Sequence, residues 1–213
     1  MSQSEAISRQ IAAALLQIEA VSLRPHQPFT WTSGMKSPIY CDNRLTMSYP
    51  DIRELIADGF AALVREQYPQ AEVIAGTATA GIPHAAWVSQ KLHLPMIYIR
   101  DKAKGHGKEN LIEGAVKPGQ KVVVIEDLIS TGGSSLKAAL AVNAAGAQAL
   151  GVLAIFSYQL DKAANAFQEA GMPLQALTNY SALLDVAVEQ GHIREEDLSL
   201  LRSWRENPAE YGK

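Results

Sequence analysis

The sequence predicts an α/β fold: a mostly parallel sheet flanked by helices. Three observations predict it. The run Val122-Val123-Val124-Ile125 is an unbroken β-branched strand, of the kind a parallel sheet covers on both faces. Strand-like and helix-like stretches alternate along most of the chain. Two of the strands run into small-residue, glycine-bearing loops followed by helices, and the carboxyl end of a strand is where open α/β sheets place ligands.

Ile7, Ile11, Leu15 and Ile18 recur at helical spacing, so the chain opens with an amphipathic helix. Arg24 to Pro50 holds four prolines and many turn formers, and reads as short strands and loops. Pro50 suits a helix start, followed on one face by Ile52, Leu55, Ile56 and Leu63. Glu72 to Ala75 reads as a strand, Gly76 to Gly81 as a loop, and Pro83 to Lys91 as a helix. Pro95 to Ile99 is strand again, and Arg100 to Asn110 a polar, basic loop. Lys117 to Gln120 makes a turn before the central strand. Leu136 to Ala145 is helical, Leu150 to Phe156 a strand, and Ala163 to Ala170 a helix. Leu174 to Leu177 is a short strand, Ser181 to Glu189 a helix stopped by Gly191, and Leu198, Leu201 and Trp204 mark a last helix.

The 213 residues suit a single domain, 1–213, with an N-terminal segment of about 1–50 and a core of about 51–213. Hydrophobic residues make up 47% of the chain and charged residues 19%, enough for an ordinary core. A net charge of −3 argues against general nucleic-acid affinity. The single cysteine, Cys41, fits a reducing compartment. No apolar run reaches a membrane span, and Glu5 and Arg9 interrupt any signal-peptide pattern. A cytoplasmic protein with no membrane or nucleic-acid partner is expected.

The central strand carries the chemistry. It ends in Glu126-Asp127, then Leu128-Ile129-Ser130-Thr131-Gly132-Gly133-Ser134, then a helix. Such a loop can turn backbone N–H groups and the helix N-terminus toward a phosphate. The adjacent acids suit sugar hydroxyls, which need acceptors; a sugar phosphate fits both halves. The segment lacks the Gly-Lys-Ser/Thr of a P-loop and the spaced glycines of a dinucleotide fingerprint. It resembles the phosphoribosyl-diphosphate-binding motif of type I phosphoribosyltransferases. By that resemblance the acids hold the ribose hydroxyls, Leu128 to Ser134 hold the 5′-phosphate, and Asp127 also acts on a developing ribosyl cation. Mg²⁺ is the implied cofactor; it sits on diphosphate and ribose oxygens, so no direct protein metal ligand is named.

Three further segments narrow the resemblance. Gly76-Thr77-Ala78-Thr79-Ala80-Gly81-Ile82-Pro83 follows a strand and lets backbone approach an anion closely. Taken alone it is equally a plain strand-to-helix turn; beside the acid motif it resembles the family's diphosphate loop. Arg100-Asp101-Lys102-Ala103-Lys104-Gly105-His106-Gly107-Lys108 places cations on a glycine-bearing loop, which suits a flexible lid over a leaving diphosphate. Phe29 to Tyr40 contains Ser33-Gly34-Met35-Lys36-Ser37-Pro38. The lid pattern and this Ser-Gly-x-x-Ser-Pro core resemble the orotate phosphoribosyltransferases.

That resemblance implies a small N-terminal base-binding hood, a homodimer whose lid reaches into the partner's site, and transfer of a phosphoribosyl group to orotate in pyrimidine synthesis. Lys104, His106 and Asp127 become the catalytic residues. Arg100, Lys104 and His106 join the phosphoribosyl diphosphate site; Lys36, Tyr40 and Ser130 face orotate. Many members carry lysines where Ala80 and Thr32 stand, a second basic residue where Asp101 stands, and an arginine where this chain has Tyr158. A transferase for another base would share the acid motif but not the lid spacing. A regulator that senses phosphoribosyl diphosphate on nucleic acid would need a basic patch. A fusion to the following decarboxylase would need a longer chain.

Overall fold

Val122 to Ile125 form the middle of a six-stranded sheet in the computed structural model, which describes residues 3–31, 34–102 and 111–211. The chain begins with α1 (Gln3–Gln17), then β1 (Val21–Leu23), β2 (Phe29–Thr30), β3 (Lys36–Ser37) and β4 (Ile39–Cys41). A 3-10 turn, Asn43–Ser48, leads to α2 (Pro50–Gln67), with Pro50 at its start as its fixed φ favours. Then come β5 (Val73–Thr77), α3 (Gly81–Leu92), β6 (Met96–Ile99), β7 (Ile112–Glu113) and β8 (Lys121–Ile129). The chain continues with α4 (Gly133–Ala144), β9 (Gln148–Ser157), α5 (Asp161–Glu169), β10 (Leu174–Asn179), α6 (Tyr180–Glu189) and α7 (Leu198–Glu206).

The sheet order is β10-β9-β8-β5-β6-β7, parallel throughout except for β7, which runs antiparallel to β6. From β5 the chain moves outward to β6, then returns to lay β8 on the other side of β5. The direction of winding therefore reverses between β5 and β8, the switch point where such sheets open a crevice for ligands. The register sets Gly76 opposite Ile125, so the loop after β5 arrives beside the acids of β8.

Strand alternation feeds two apolar layers. Val123, Ile125, Leu153 and Ile155 pack with α1, α2, α3 and α6 through residues such as Leu15, Phe60, Val88 and Leu183. Val122, Val124, Val152 and Ala154 pack with α4 and α5 through Ala138, Val142 and Phe167. The N-terminal hood is two short antiparallel pairs, β1 with β4 and β2 with β3. Among the described residues no helix is long and apolar enough to cross a membrane.

Two elements differ from the reading of the sequence. The central strand does not end at the acids: it continues to Ile129, because Leu128 and Ile129 still pair with Phe156 and Ser157 of β9. The short β7 has no sequence periodicity behind it; at two residues it exists through its pairing with Tyr98 and Ile99.

Candidate active site

Glu126 is 5% exposed and Asp127 half-buried at the end of β8. Burial, reinforced by the neighbouring Asp127, pushes the Glu126 carboxyl up to about 9. Burial also raises Asp127, opposed by its interaction with Glu126 and by the Arg44 guanidinium. The two environments thus separate the acids: Glu126 keeps its proton at neutral pH, and Asp127 gives its proton up first. The pair can offer ribose hydroxyls both a donor and acceptors.

Past Ile129 the chain leaves the sheet. Ser130 is half-buried, and Thr131, Gly133 and Ser134 are exposed. Gly132 sits at φ +74, in the left-handed region, and a Cβ there would lie 2.8 Å from the Phe167 ring. Only glycine turns the chain there and seats it on α5. The turn starts α4 at Gly133, and a helix N-terminus leaves its first N–H groups without partners inside the helix. The Ile129 side chain is fully buried in the α4/α5 layer and the Leu128 side chain packs on the opposite layer. Their side chains hold the strand that carries the loop.

The second loop enters from β5. Ala78 N–H donates to Ile99 O at 2.8 Å, and the Ala78–Thr79 peptide is cis. A Cβ on Gly81 would lie 2.5 Å from Ile125 O, so α3 starts in backbone contact with β8 immediately before Glu126. Thr79 is exposed, while Thr77 is buried at the end of β5 with no hydrogen-bond partner for its hydroxyl among the described residues. Two backbone loops and two carboxyls thus converge at the switch point.

The hood stands over this end of β8. Lys36 is exposed, with Nζ donating to Thr30 Oγ1 at 2.8 Å. Tyr40 is 46% exposed, its ring 5.6 Å from that of Phe29. Both are therefore free to meet a ligand. The bond between hood and acids comes from Asn43, unremarked in the sequence: its Nδ2 donates to Asp127 O at 2.7 Å. The neighbouring Arg44 pairs with Asp42 and contributes the positive field at Asp127. Tyr158 is buried against Trp31, Phe156 and Trp204. That position is core.

Arg100 follows β6, where its N–H donates to Leu111 O at 2.8 Å and its guanidinium pairs with Glu113 at 3.3 Å. Lys137 of α4 donates to Asp101 O at 2.9 Å, tying the segment after β6 to that helix. Lys104 and His106 lie outside the described residues, as do Thr32 and Ser33. A separate cavity of about 450 Å³ is lined by Pro25, His26, Trp204 and Tyr211 among others, and by none of the acid or glycine-loop residues.

A doubly loop-lined switch point with paired acids on the central strand defines a type I phosphoribosyltransferase. The phosphoribosyl transferase domain family matches residues 48–173. The chain is 59% identical to an orotate phosphoribosyltransferase of Enterococcus faecalis, covering 97% of this chain and 99% of that one. Leishmania donovani UMP synthase superposes with a TM-score of 0.78 at 30% identity, over 93% of this chain and 42% of that one. Mycobacterium tuberculosis orotate phosphoribosyltransferase in complex with 5-phospho-α-D-ribosyl 1-diphosphate superposes with a TM-score of 0.64 at 25% identity, over 83% of this chain and 98% of that one. The chain belongs to the orotate phosphoribosyltransferase family.

Proposed function

We propose that this chain transfers the 5-phosphoribosyl group from phosphoribosyl diphosphate to orotate, giving orotidine 5′-phosphate and diphosphate. The observation that carries the reading is the buried Glu126–Asp127 pair placed directly before the Ser130–Gly132 turn and the start of α4. Acids for a ribose diol and an N–H cradle for its 5′-phosphate follow one another along the chain. The 59% identity with the Enterococcus faecalis enzyme supports orotate as the base.

The ring nitrogen of orotate attacks the anomeric carbon as the bond to diphosphate breaks, through an oxocarbenium-like state. The protein's part is positioning and charge stabilisation. Ser130 to Ser134 hold the 5′-phosphate, and the Ala78–Gly81 backbone receives the diphosphate. Asp127, the acid that ionises first, faces the positive ribose. Lys36, Tyr40 and Ser130 hold the base. From the lid, Arg100 and Lys104 neutralise the departing diphosphate, and His106 donates a hydrogen bond or proton to it.

Mg²⁺ supplies charge neutralisation to the diphosphate. The site fits an ion that would arrive with the substrate: Glu126 and Asp127 would face the ribose oxygens beside it, and Mg²⁺ keeps several waters and needs few protein ligands. We further propose a cytoplasmic homodimer in which each lid serves the partner's site; the lone Cys41 accords with a reducing compartment. Consumption of orotate on mixing with phosphoribosyl diphosphate and Mg²⁺, with orotidine 5′-phosphate as product, tests the reading; no product at any Mg²⁺ concentration overturns it.

A further inference from the structure

Asn43 is 1% exposed in the turn between β4 and α2, and its polar groups are all engaged. Nδ2 donates to Asp127 O at 2.7 Å, Oδ1 accepts from Cys41 Sγ at 3.2 Å, and its backbone carbonyl accepts from Thr46 Oγ1 at 2.6 Å. Thr46 Oγ1 also lies 3.4 Å from Nε2 of His84, in α3. The threonine proton is directed to Asn43 O, so Nε2 is the donor in that weaker contact, and Nδ1 keeps a bare lone pair. Nδ1 is the His84 atom without a partner, and burial pushes the ring down to about 4, keeping it neutral.

The reason for an amide at position 43 lies in the sheet. The ladder between β5 and β8 ends at the Gly76–Ile125 pair. Successive residues of a parallel strand bond to alternate neighbours, so Asp127 faces the side that β5 has vacated. Side chains take its place. The Asp127 N–H donates to Glu126 Oε1 at 3.0 Å, and its carbonyl accepts from Asn43. The network therefore joins the hood, the acid strand and the helix after the diphosphate loop, and it meets all three at the catalytic acid.

We propose that Asn43 is a positioning residue for phosphoribosyl transfer: by bonding the Asp127 carbonyl it holds the base-binding hood in register with the ribose acids. The proposal rests on the reading of the chain as an orotate phosphoribosyltransferase. Asn43 is buried, with its amide bonded to Asp127 and Cys41. Its effect falls on the alignment of ring nitrogen and anomeric carbon, and misplacement of reacting groups by about 1 Å costs rate on the order of a hundredfold.

The test compares wild type, Asn43→Ala and Asn43→Asp as full chains. Kinetics give kcat per folded molecule, calorimetry gives affinity for phosphoribosyl diphosphate with Mg²⁺, and thermal melting reports the fold. Asn43→Asp keeps the shape and the acceptor for Cys41 and, in its ionised form, offers no proton to the Asp127 carbonyl, so it is assayed across a range of pH; it carries the test should Asn43→Ala not fold. We expect kcat to fall by roughly ten- to a hundredfold, with phosphoribosyl diphosphate affinity changed less than about threefold, since the acids and the phosphate cradle remain. A merely structural role would lower the melting temperature while leaving kcat per folded molecule unchanged, and that result overturns the proposal while the functional reading stands. Wild-type protein that binds phosphoribosyl diphosphate but consumes no orotate overturns both.

Discussion

The backbone N–H of Asp127 donates to Glu126 Oε1 across 3.0 Å, so the second acid of the pair orients the first. The bond fixes one Glu126 oxygen, while burial opposes a charge on the group as a whole. The strand end thus holds a carboxyl whose ionised form is disfavoured. The protein carries that cost as a loss of stability whose size depends on pH.

Replacing Glu126 should expose this cost. Its folded pKa of about 9 lies above its ordinary 4.5, so the folded state binds the extra proton between those values. The stability it contributes is fully present below about pH 4.5 and is lost as pH rises toward 9. Glu126→Gln cannot ionise. Its melting temperature should exceed wild type at pH 8, with the gap closing toward pH 5, while phosphoribosyl diphosphate affinity changes less than about threefold, because the amide keeps the donor and the acceptor of the protonated acid. Melting curves that stay parallel across this range would remove the buried charge from the account.

His84 gives the opposite slope. Its ring is held down to about 4 from an ordinary 6.5 by burial, so the unfolded chain binds its proton first. The stability is present above about pH 6.5 and is lost as pH falls toward 4. His84→Gln, which keeps a donor near Thr46 and does not titrate, should flatten the acid limb of a stability-versus-pH curve measured by urea unfolding. An acid limb as steep as wild type would assign acid sensitivity to other groups.

Gly81→Ala sets two effects against each other. Alanine in a helix is favoured over glycine by about 1 kcal/mol. Here the new Cβ would lie 2.5 Å from Ile125 O, a backbone atom that cannot step aside. Overpacking of this sort costs typically 1–3 kcal/mol, so the clash wins. The variant should melt lower than wild type and bind phosphoribosyl diphosphate more weakly, because relief of the clash pushes α3 away from the acids. A melting temperature raised by the substitution would show that the two elements part without penalty.

Lys104→Ala should lower kcat by roughly a hundredfold, the scale of one lost transition-state donor. Phosphoribosyl diphosphate affinity should change far less, because the proposed contact is made with the departing group. An unchanged kcat removes Lys104 from the chemistry.

Much of this was legible in the sequence because the signals are local. Val122 to Ile125 has no polar break, Pro50 starts a helix, and the loops around Gly81 and Gly132 combine small residues with adjacent helix formers. The extension of β8 through Ile129 was hidden because two acids interrupt an apolar run, and what extends the strand is its ladder to β9. Asn43 was hidden for a different reason: its partner is 84 residues away, and nothing in Cys41-Asp42-Asn43-Arg44 points to it. Its only local mark is a run of polar residues just after a short strand. Tyr158 reads as a substitute for a binding cation, yet it completes an aromatic cluster with Trp31 and Trp204, a contact set by tertiary packing.

The central claim is tested most directly by diphosphate release from phosphoribosyl diphosphate and Mg²⁺, with orotate, adenine, xanthine and uracil offered separately. The account predicts release with orotate alone. Release with another base in its place would keep the sugar site at Glu126 and Asp127 and contradict the base-binding role given to Lys36 and Tyr40; no release with any base would contradict transferase function itself.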